Sequence, residues 1–227
     1  MKQHEILQKY ITGLTKGYTN SLIICSPAGY GKTETTIETL KKMRLKEGTH
    51  YLYINNYITP VELYIKLGEV NALQPPKLLI MDDVEDTLRN PRAVGLLKGA
   101  LWEANGKRKV NWNSGTYKIK NKEIEFEGRI IFLLNQLNQK NPIIRALKDR
   151  GFYYEMELTN QDMMKLMEER AKVPYQNIPY NKRKEIIQYL QQIASKNPNI
   201  SLRLLPKAYN LYLLSPNHYK LLISKLL

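Results

Sequence analysis

An eight-residue segment, Ser26-Pro-Ala-Gly-Tyr-Gly-Lys-Thr33, constrains the fold of this chain more than any other feature. It follows an apolar run, Ser21–Ser26, and leads into a stretch rich in Thr, Glu and Lys that has helical composition. Gly29 and Gly31 allow the backbone to curl so that successive N–H groups point inward, and the positive end of a following helix supports an anion there. This context predicts a phosphate-binding loop between a strand and a helix.

Two side chains at the end of the segment suit a nucleoside triphosphate with its metal ion. Lys32 would neutralise the β- and γ-phosphates, and the Thr33 hydroxyl would ligate Mg²⁺. Ser26 stands where the general pattern has its first glycine, so the strict pattern fails by one residue, and a Gly-Lys-Thr on an ordinary surface turn is the alternative. The residues that we expect to contact the nucleotide are Pro27, Ala28, Gly29, Tyr30, Gly31, Lys32, Thr33 and Glu34.

A second feature is an apolar run that ends in two carboxylates, Leu78-Leu-Ile-Met-Asp82-Asp83. Such an arrangement places acids at the carboxyl end of a central strand, beside a phosphate loop. Asp82 would hold Mg²⁺ through a water molecule, and Asp83 would polarise the attacking water. Glu is commoner at the second place and is longer by one C–C bond, about 1.5 Å. Glu85 is therefore the reserve candidate for the base, and capping of the next helix is the alternative for both aspartates.

The distribution of apolar runs predicts an α/β protein with a mostly parallel sheet, because strand-like runs alternate with helical stretches. The five runs are 21–26, 51–55, 78–84, 130–135 and 153–158. Residues 107–128 break this rhythm with alternation at period two around Asn121-Lys122, which predicts an inserted β-hairpin. After Leu158 the pattern is helical, with Thr159 as the N-cap. We therefore predict an α/β body over 1–158 and a helical domain over 159–227.

The chain has 35 Lys and Arg against 21 Asp and Glu, a net charge of +14. Residues 1–158 hold 24 basic and 17 acidic side chains, whereas 159–227 hold 11 and 4, so each part carries +7. This charge favours a nucleic-acid partner, and the solubility of a Lys-rich surface is an equally weighted alternative. The single cysteine, Cys25, excludes an internal disulfide and suits a cytoplasmic location. We expect no membrane span, since every apolar run is short, and no secretory signal.

Taken together, these motifs resemble those of the AAA+ ATPases. The segment Ser26–Thr33 is similar to that family's G-P-P-G-x-G-K-T loop, and the run 130–135 ends in Asn135, where the family carries a polar sensor. The segment 146–152 is similar to the one that carries an arginine finger, which makes Arg150 the first candidate and Arg145 the second. The segment 199–206 resembles the start of the lid helix that carries a second sensor, here Arg203.

The resemblance implies a five-stranded parallel sheet followed by a small all-helical lid, with ATP and Mg²⁺ as ligands and hydrolysis of ATP to ADP and phosphate. Because the finger acts on a neighbour's nucleotide, it also implies a homo-oligomer, commonly a hexamer or an open spiral. A body and lid with little added sequence favour work on DNA, in replication or remodelling, with a helicase or other replication protein as a possible partner. The inserted hairpin is similar to those of small ATPases of phages and plasmids.

We expect the basic hairpin, with Lys118 and Lys120, to line a channel for DNA. Trp112 and Tyr117 could contact nucleic acid there, although packing between strands is an equal alternative. Trp102 is expected to pack a helix against the sheet. The rival functional hypothesis is a nucleotide-dependent assembly switch or adaptor with little hydrolysis, which Asp83 in place of Glu favours.

Overall fold

The protein is described here from a computed structural model that covers residues 3–115, 119–135, 142–194 and 200–226. Its strands in chain order are β1 (Ser21–Cys25), β2 (Tyr51–Asn55), β3 (Leu78–Asp82), β4 (Lys109–Asn111), β5 (Glu123–Glu125), β6 (Arg129–Leu134) and β7 (Phe152–Glu155). Five of these form one sheet in the order β2-β3-β6-β1-β7, and all neighbours in it are parallel. The predicted α/β class with a five-stranded parallel sheet is confirmed.

The register of the sheet brings the chemically interesting strand ends to one edge. Cys25 of β1 lies beside Leu134 of β6, and Asp82 of β3 lies beside Leu133. Both β1 and β3 are buried along their whole length. Strands covered on both faces read as continuous apolar runs, which explains why these two were recognisable in the sequence.

The helices around the sheet are α1 (Gln3–Thr15), α2 (Lys32–Lys42), α3 (Pro60–Asn71), α4 (Glu85–Arg89), α5 (Pro91–Leu101) and α6 (Pro142–Lys148). The start of α3 is fixed by Thr59, whose hydroxyl accepts a hydrogen bond from the backbone N–H of Glu62, followed by a proline in the first turn. Asn90 caps α5 in the same way, through the N–H groups of Arg92 and Ala93. The apolar faces of α3 and α5 are buried in the core of this part of the chain.

The inserted segment contains an antiparallel pair, in which β4 lies beside β5 with Val110 opposite Ile124. The sequence predicted a β-hairpin within 107–128, and this pair joins 109–111 to 123–125. Two ion pairs accompany this register, Lys109 with Glu123 at 2.8 Å and Lys107 with Glu125 at 2.9 Å. Both ion pairs are diagonal in this register, so they add modest support to it.

The chain divides into two compact units, Met1–Pro27 with Lys32–Met156 and Ala28–Gly31 with Glu157–Leu227. The second unit contains α7 (Asn160–Ala171), α8 (Tyr180–Ala194), α9 (Leu204–Leu214) and α10 (Tyr219–Leu226). Thr159 caps α7 and forms a reciprocal capping box with Asp162, as its position in the sequence predicted. These helices share an apolar core that includes Met163, Met167 and Leu190.

Candidate nucleotide-binding site

The first helical turn of α2 lies against the end of β3 in the first unit. The Thr33 hydroxyl donates a hydrogen bond of 2.7 Å to Oδ2 of Asp82. Asp82 is the last residue of β3 and is only 4% exposed. The loop-ending threonine and the strand-ending acid predicted from separate motifs are thus in direct contact, although 49 residues separate them in the sequence.

The lysine of the loop lies beside the tip of β6. Lys32 is 5% exposed, and its Nζ donates a hydrogen bond of 2.6 Å to Oδ1 of Asn135, the residue that follows β6. The amide nitrogen of Asn135 in turn donates to Oδ1 of Asp83 at 2.6 Å. Asn135 therefore connects the lysine of the loop to the second acid of the pair, and its neutral amide serves one as acceptor and the other as donor.

The two candidate bases differ in how they are held. Asp83 has a positive φ of 51°, so the chain turns sharply after β3 and its backbone N–H donates to the carbonyl of Leu133. Glu85 lies in the first turn of α4, where its Oε1 accepts a hydrogen bond of 2.6 Å from the backbone N–H of Asn135. The side chain of Asn135 therefore contacts Asp83, whereas Glu85 is engaged by the backbone of the same residue.

Tyr53 is a further member of this site that sequence reasoning missed. It lies in β2 opposite Ile80, and its hydroxyl donates a hydrogen bond of 2.7 Å to Oδ2 of Asp82. Burial, together with this hydrogen bond and the nearby charges of Asp82 and Asp83, raises the pKa of Tyr53 well above its usual value. The phenol therefore stays protonated and acts as a donor to Asp82.

The donor set around Asp82 fits a magnesium ion bound together with phosphates. Oδ1 of Asp82 is buried and has no hydrogen-bond partner among the described residues, which is costly for a carboxylate oxygen. Mg²⁺ is usually bound by one or two protein oxygens together with waters and substrate phosphates. Thr33 and Asp82 could supply those oxygens. Within the described ranges, no group of three or more His, Cys, Asp or Glu side chains could hold a metal by itself.

The tip of the predicted phosphate loop belongs to the second unit. Gly29 has a φ of +80° and Gly31 one of +84°, the left-handed conformation that glycine adopts without strain. The carbonyl of Gly29 accepts a hydrogen bond of 2.9 Å from the N–H of Leu202, just before α9. Tyr30 packs against the apolar core of that unit. Arg203, the predicted second sensor, is exposed in the turn that begins α9.

The remaining residues of the predicted loop lie nearer the surface. Pro27, Ala28 and Glu34 are exposed, and Glu34 lies in the first turn of α2, whose N-terminus begins at Lys32. A negative side chain there is favourable to the helix dipole, which gives Glu34 a structural reason for its position.

Arg150, the first candidate for the finger, lies outside the hydrogen-bonded set around Asp82. It follows α6 and donates a hydrogen bond to the carbonyl of Ala146, and its Cζ lies 5.0 Å from the centre of the Trp102 ring. Trp102 is 59% exposed, so the expectation that it packs a helix against the sheet was wrong: α5 ends at Leu101 and the ring stacks with a guanidinium instead. Arg145, the second candidate, is exposed in α6.

The inserted hairpin presents fewer available cations than its sequence suggests. Lys107 and Lys109 are paired with glutamates, and Arg108 donates to the carbonyls of Ala100 and Gly128. Trp112 is buried with its ring 5.5 Å from that of Tyr64, so packing accounts for it and contact with nucleic acid does not. Lys120 is exposed. Tyr117 and Lys118 lie outside the described residues.

No protein-family model matches this chain. The chain is 30% identical over 181 residues to an uncharacterized 36.7 kDa protein from the nrdC–mobD intergenic region of Enterobacteria phage T4. The match takes in 74% of this chain and 54% of the phage protein, so the chain spans about half the length of that curated relative.

Solved structures of Thermotoga maritima RuvB, described as a Holliday junction branch migration motor, have a similar fold. The TM-score is 0.58 at 12% identity, over 99% of this chain and 68% of that RuvB chain. The structure of a RuvB R170A variant gives a TM-score of 0.59 at 13% identity, over 98% of this chain and 67% of the variant chain. None of the described helices is both long and apolar enough to span a bilayer.

Proposed function

We propose that this chain, which has the fold of the AAA+ ATPases, binds ATP with Mg²⁺ and hydrolyses it to ADP and phosphate. The observation that carries the proposal is the convergence of five residues from three separate segments. Two neighbouring sets of hydrogen bonds join them, Lys32–Asn135–Asp83 and Thr33–Asp82. A surface Gly-Lys-Thr turn would bring no acid pair to the same place.

Each member of this set has a distinct task in the proposal. Lys32 neutralises the β- and γ-phosphates, while the Thr33 hydroxyl and Asp82 hold the metal ion, which supplies charge stabilisation to the transferring phosphoryl group. Asp83 accepts a proton from the attacking water, and Asn135 orients that water. The hydrogen bond from Asn135 to Asp83 supports this pairing, because it fixes the carboxylate at the tip of β3. Glu85 is the reserve base.

Hydrolysis is tested by phosphate release from ATP with Mg²⁺. Asp83→Asn keeps the size of the side chain and removes its basicity, so we expect turnover to fall by about 10²-fold or more while ATP binding persists. Glu85→Gln is the matched control and should retain most activity. Loss of turnover with Glu85→Gln and none with Asp83→Asn would transfer the role of base to Glu85.

The proposal includes a homo-oligomer, a hexamer or an open spiral, in which Arg150 reaches the nucleotide of a neighbouring subunit. Two observations support this role of Arg150. Segment 146–152 resembles the AAA+ segment that carries an arginine finger, and the Arg150 guanidinium lies beside the exposed ring of Trp102. Arg203 is proposed to contact the γ-phosphate within its own subunit.

Subunit mixing tests the finger. Lys32→Met subunits keep Arg150 but should bind nucleotide poorly, whereas Arg150→Ala subunits should bind nucleotide but lack the finger, so each should be nearly inactive alone. A mixture should recover part of the activity, because an intact finger then meets an intact site. Arg145→Ala is the control, and these subunits should be active alone if Arg150 is the finger. A mixture of Lys32→Met and Arg150→Ala subunits that recovers no activity would contradict action between subunits.

We further propose that the ATPase acts on DNA, in replication or remodelling, in the cytoplasm and with a helicase or other replication protein as a possible partner. The net charge of +14, the similarity in fold to a protein named as a branch migration motor, and a phage relative support this proposal. DNA should stimulate ATP hydrolysis. The double variant Lys118→Ala with Lys120→Ala should reduce that stimulation, whereas Lys107→Ala, which removes a cation already paired with Glu125, should not.

The second candidate function is a nucleotide-dependent switch that organises an assembly and hydrolyses little ATP. The observation that favours it is that both carboxylates near the tip of β6 are engaged by Asn135, Asp83 by its side chain and Glu85 by its backbone. Equal, negligible turnover of the wild type and Asp83→Asn, together with tight ATP binding, would favour the switch.

A further inference from the structure

The N-terminal end of α8, in the helical unit, carries a cluster of one tyrosine and two cations. Tyr180 begins the helix and is 47% exposed. The Cζ atom of Arg183 lies 5.8 Å from the centre of the Tyr180 ring, and Nζ of Lys184 lies 5.9 Å from it. Both positive side chains therefore converge on a ring that solvent can still reach.

Arg183 is unusual because it is buried without a neutralising partner. It is only 6% exposed, it makes no ion pair among the described residues, and its Nε has no hydrogen-bond partner there. A buried guanidinium is costly unless an anion pairs with it. Its position in the first turn of α8 adds the positive end of the helix dipole to its own charge. The local field at this turn is therefore strongly attractive to an anion.

The nearest acid along the helix does not neutralise the cluster. Glu185 accepts hydrogen bonds from Lys182 at 2.8 Å and from the hydroxyl of Tyr219 at 2.9 Å, and it pairs with Lys220 at 3.4 Å. These contacts hold its pKa down, at about 2, so it remains ionised and committed to other partners. The charges of Arg183 and Lys184 are thereby left for an external anion.

We propose that Tyr180, Arg183 and Lys184 form a binding site for single-stranded nucleic acid. A base stacks on the Tyr180 ring, and the adjoining phosphates are held by Arg183 and Lys184, a combination of aromatic platform and cations that suits single strands of any sequence. A duplex fits less well, because its bases are already stacked on each other. Residues 159–227 hold 11 basic and 4 acidic side chains, and this surplus of positive charge favours a polyanion as the ligand over a single acidic side chain.

This site extends the proposed action on DNA. It depends on that proposal only for the identification of the bound polymer as DNA. It is tested with the full chain by fluorescence anisotropy of a labelled oligothymidylate of about 20 nucleotides, long enough to exceed one binding site. Tyr180→Ala should weaken binding roughly ten-fold or more, whereas Tyr180→Phe should bind nearly as the wild type, since stacking needs the ring and not the hydroxyl. Tyr18→Ala is the matched control, because Tyr18 is 74% exposed in the other unit.

Lys184→Ala tests the phosphate contact through salt dependence. It should lower the slope of log Kd against log salt concentration by about 0.7, the value for one phosphate contact on a single strand. Lys165→Ala, an exposed lysine of α7, should leave the slope unchanged. Circular dichroism of every variant checks that α8 remains folded.

Several results would overturn the site. One is an equal loss of oligonucleotide affinity with Tyr180→Ala and Tyr18→Ala, and another is no binding of the oligonucleotide by the wild type. A third is stronger binding of a polyglutamate peptide than of the oligonucleotide, which would indicate an acidic protein partner. ATP binding is measured separately on the same variants without DNA. It should be unchanged by Tyr180→Ala, so a failure of this site and a failure of the ATP site give different results.

Discussion

Removing the hydroxyl of Tyr53 is the most informative change to the proposed nucleotide site, because only the structure shows that Tyr53 contacts Asp82. Tyr53→Phe deletes the 2.7 Å hydrogen bond to Oδ2 of Asp82 and leaves the bond from Thr33 to the same oxygen intact. Hydrogen bonds to charged groups contribute about 1.5–3 kcal/mol. Since each 1.4 kcal/mol is a factor of ten, the apparent affinity for Mg²⁺ with ATP should fall by about 10- to 100-fold, the range seen for groups that orient metal ligands.

The assay is a magnesium titration of the binding of a fluorescent ATP analogue, followed at fixed nucleotide concentration. Tyr53→Phe should shift the magnesium midpoint upward, while binding measured in the presence of a chelator stays unchanged. Tyr57→Phe is the control, because Tyr57 is more than half exposed and follows β2 closely. An unchanged midpoint, or an equal loss of binding with and without magnesium, would refute the idea that Tyr53 orients a metal-binding Asp82.

Three further predictions follow from individual contacts. Asn135→Ala removes a hydrogen-bond partner of both Lys32 and Asp83, so ATP turnover should fall by about 10²-fold with little change in ATP affinity. Single-turnover and binding measurements check this, and unchanged turnover would contradict the role of Asn135. Gly29→Ala should lower the free energy of unfolding by more than the roughly 1–2 kcal/mol that a strained φ costs, because its Cβ would lie 2.7 Å from that of Ser201. Gly48→Ala is the control for backbone strain alone, since its Cβ would meet nothing within 4 Å at a similar φ. Equal losses of stability in the two variants would show that the clash with Ser201 contributes nothing. Glu185→Gln should lower the melting temperature at pH 7 by at most about 4 °C, since the ion pairs are partly exposed. The folded-state pKa of Glu185 lies below its ordinary 4.5, so this difference should persist above that pH and vanish as the pH falls toward 2; a difference that survives at pH 2 would rule out the ionic cause.

The parts of the fold that the sequence predicted well are those fixed by local chemistry. Continuous apolar runs identified the buried parallel strands, and Thr159 identified the start of α7 because an N-cap hydroxyl satisfies a free N–H wherever a helix begins. The contact between Thr33 and Asp82 was likewise foreseeable, since parallel strands end at one edge of a sheet.

The parts that sequence reasoning missed depend on which elements become neighbours. Tyr53 reaches Asp82 only because β2 lies beside β3 in a register that places Tyr53 opposite Ile80 and Asn55 opposite Asp82, on the same face of the sheet. Alternation along β2 marks that face, but nothing local tells which strand will lie beside it. The exposure of Trp102 was missed for a similar reason, because a large apolar residue suggests burial until the end of α5 and the position of Arg150 are known.

We propose that Lys32, Thr33 and Asp82 together bind one nucleotide with magnesium. Isothermal titration of the wild type with a non-hydrolysable ATP analogue and Mg²⁺ tests it most directly, beside Lys32→Met and, as a control on the same helix, Lys42→Met. We predict saturable binding of about one nucleotide per chain. Lys42→Met should keep the same affinity, whereas Lys32→Met should weaken binding by about 1.5–3 kcal/mol, the value of an interaction with a charged group. Binding that survives intact in Lys32→Met, or no binding by the wild type, would contradict it.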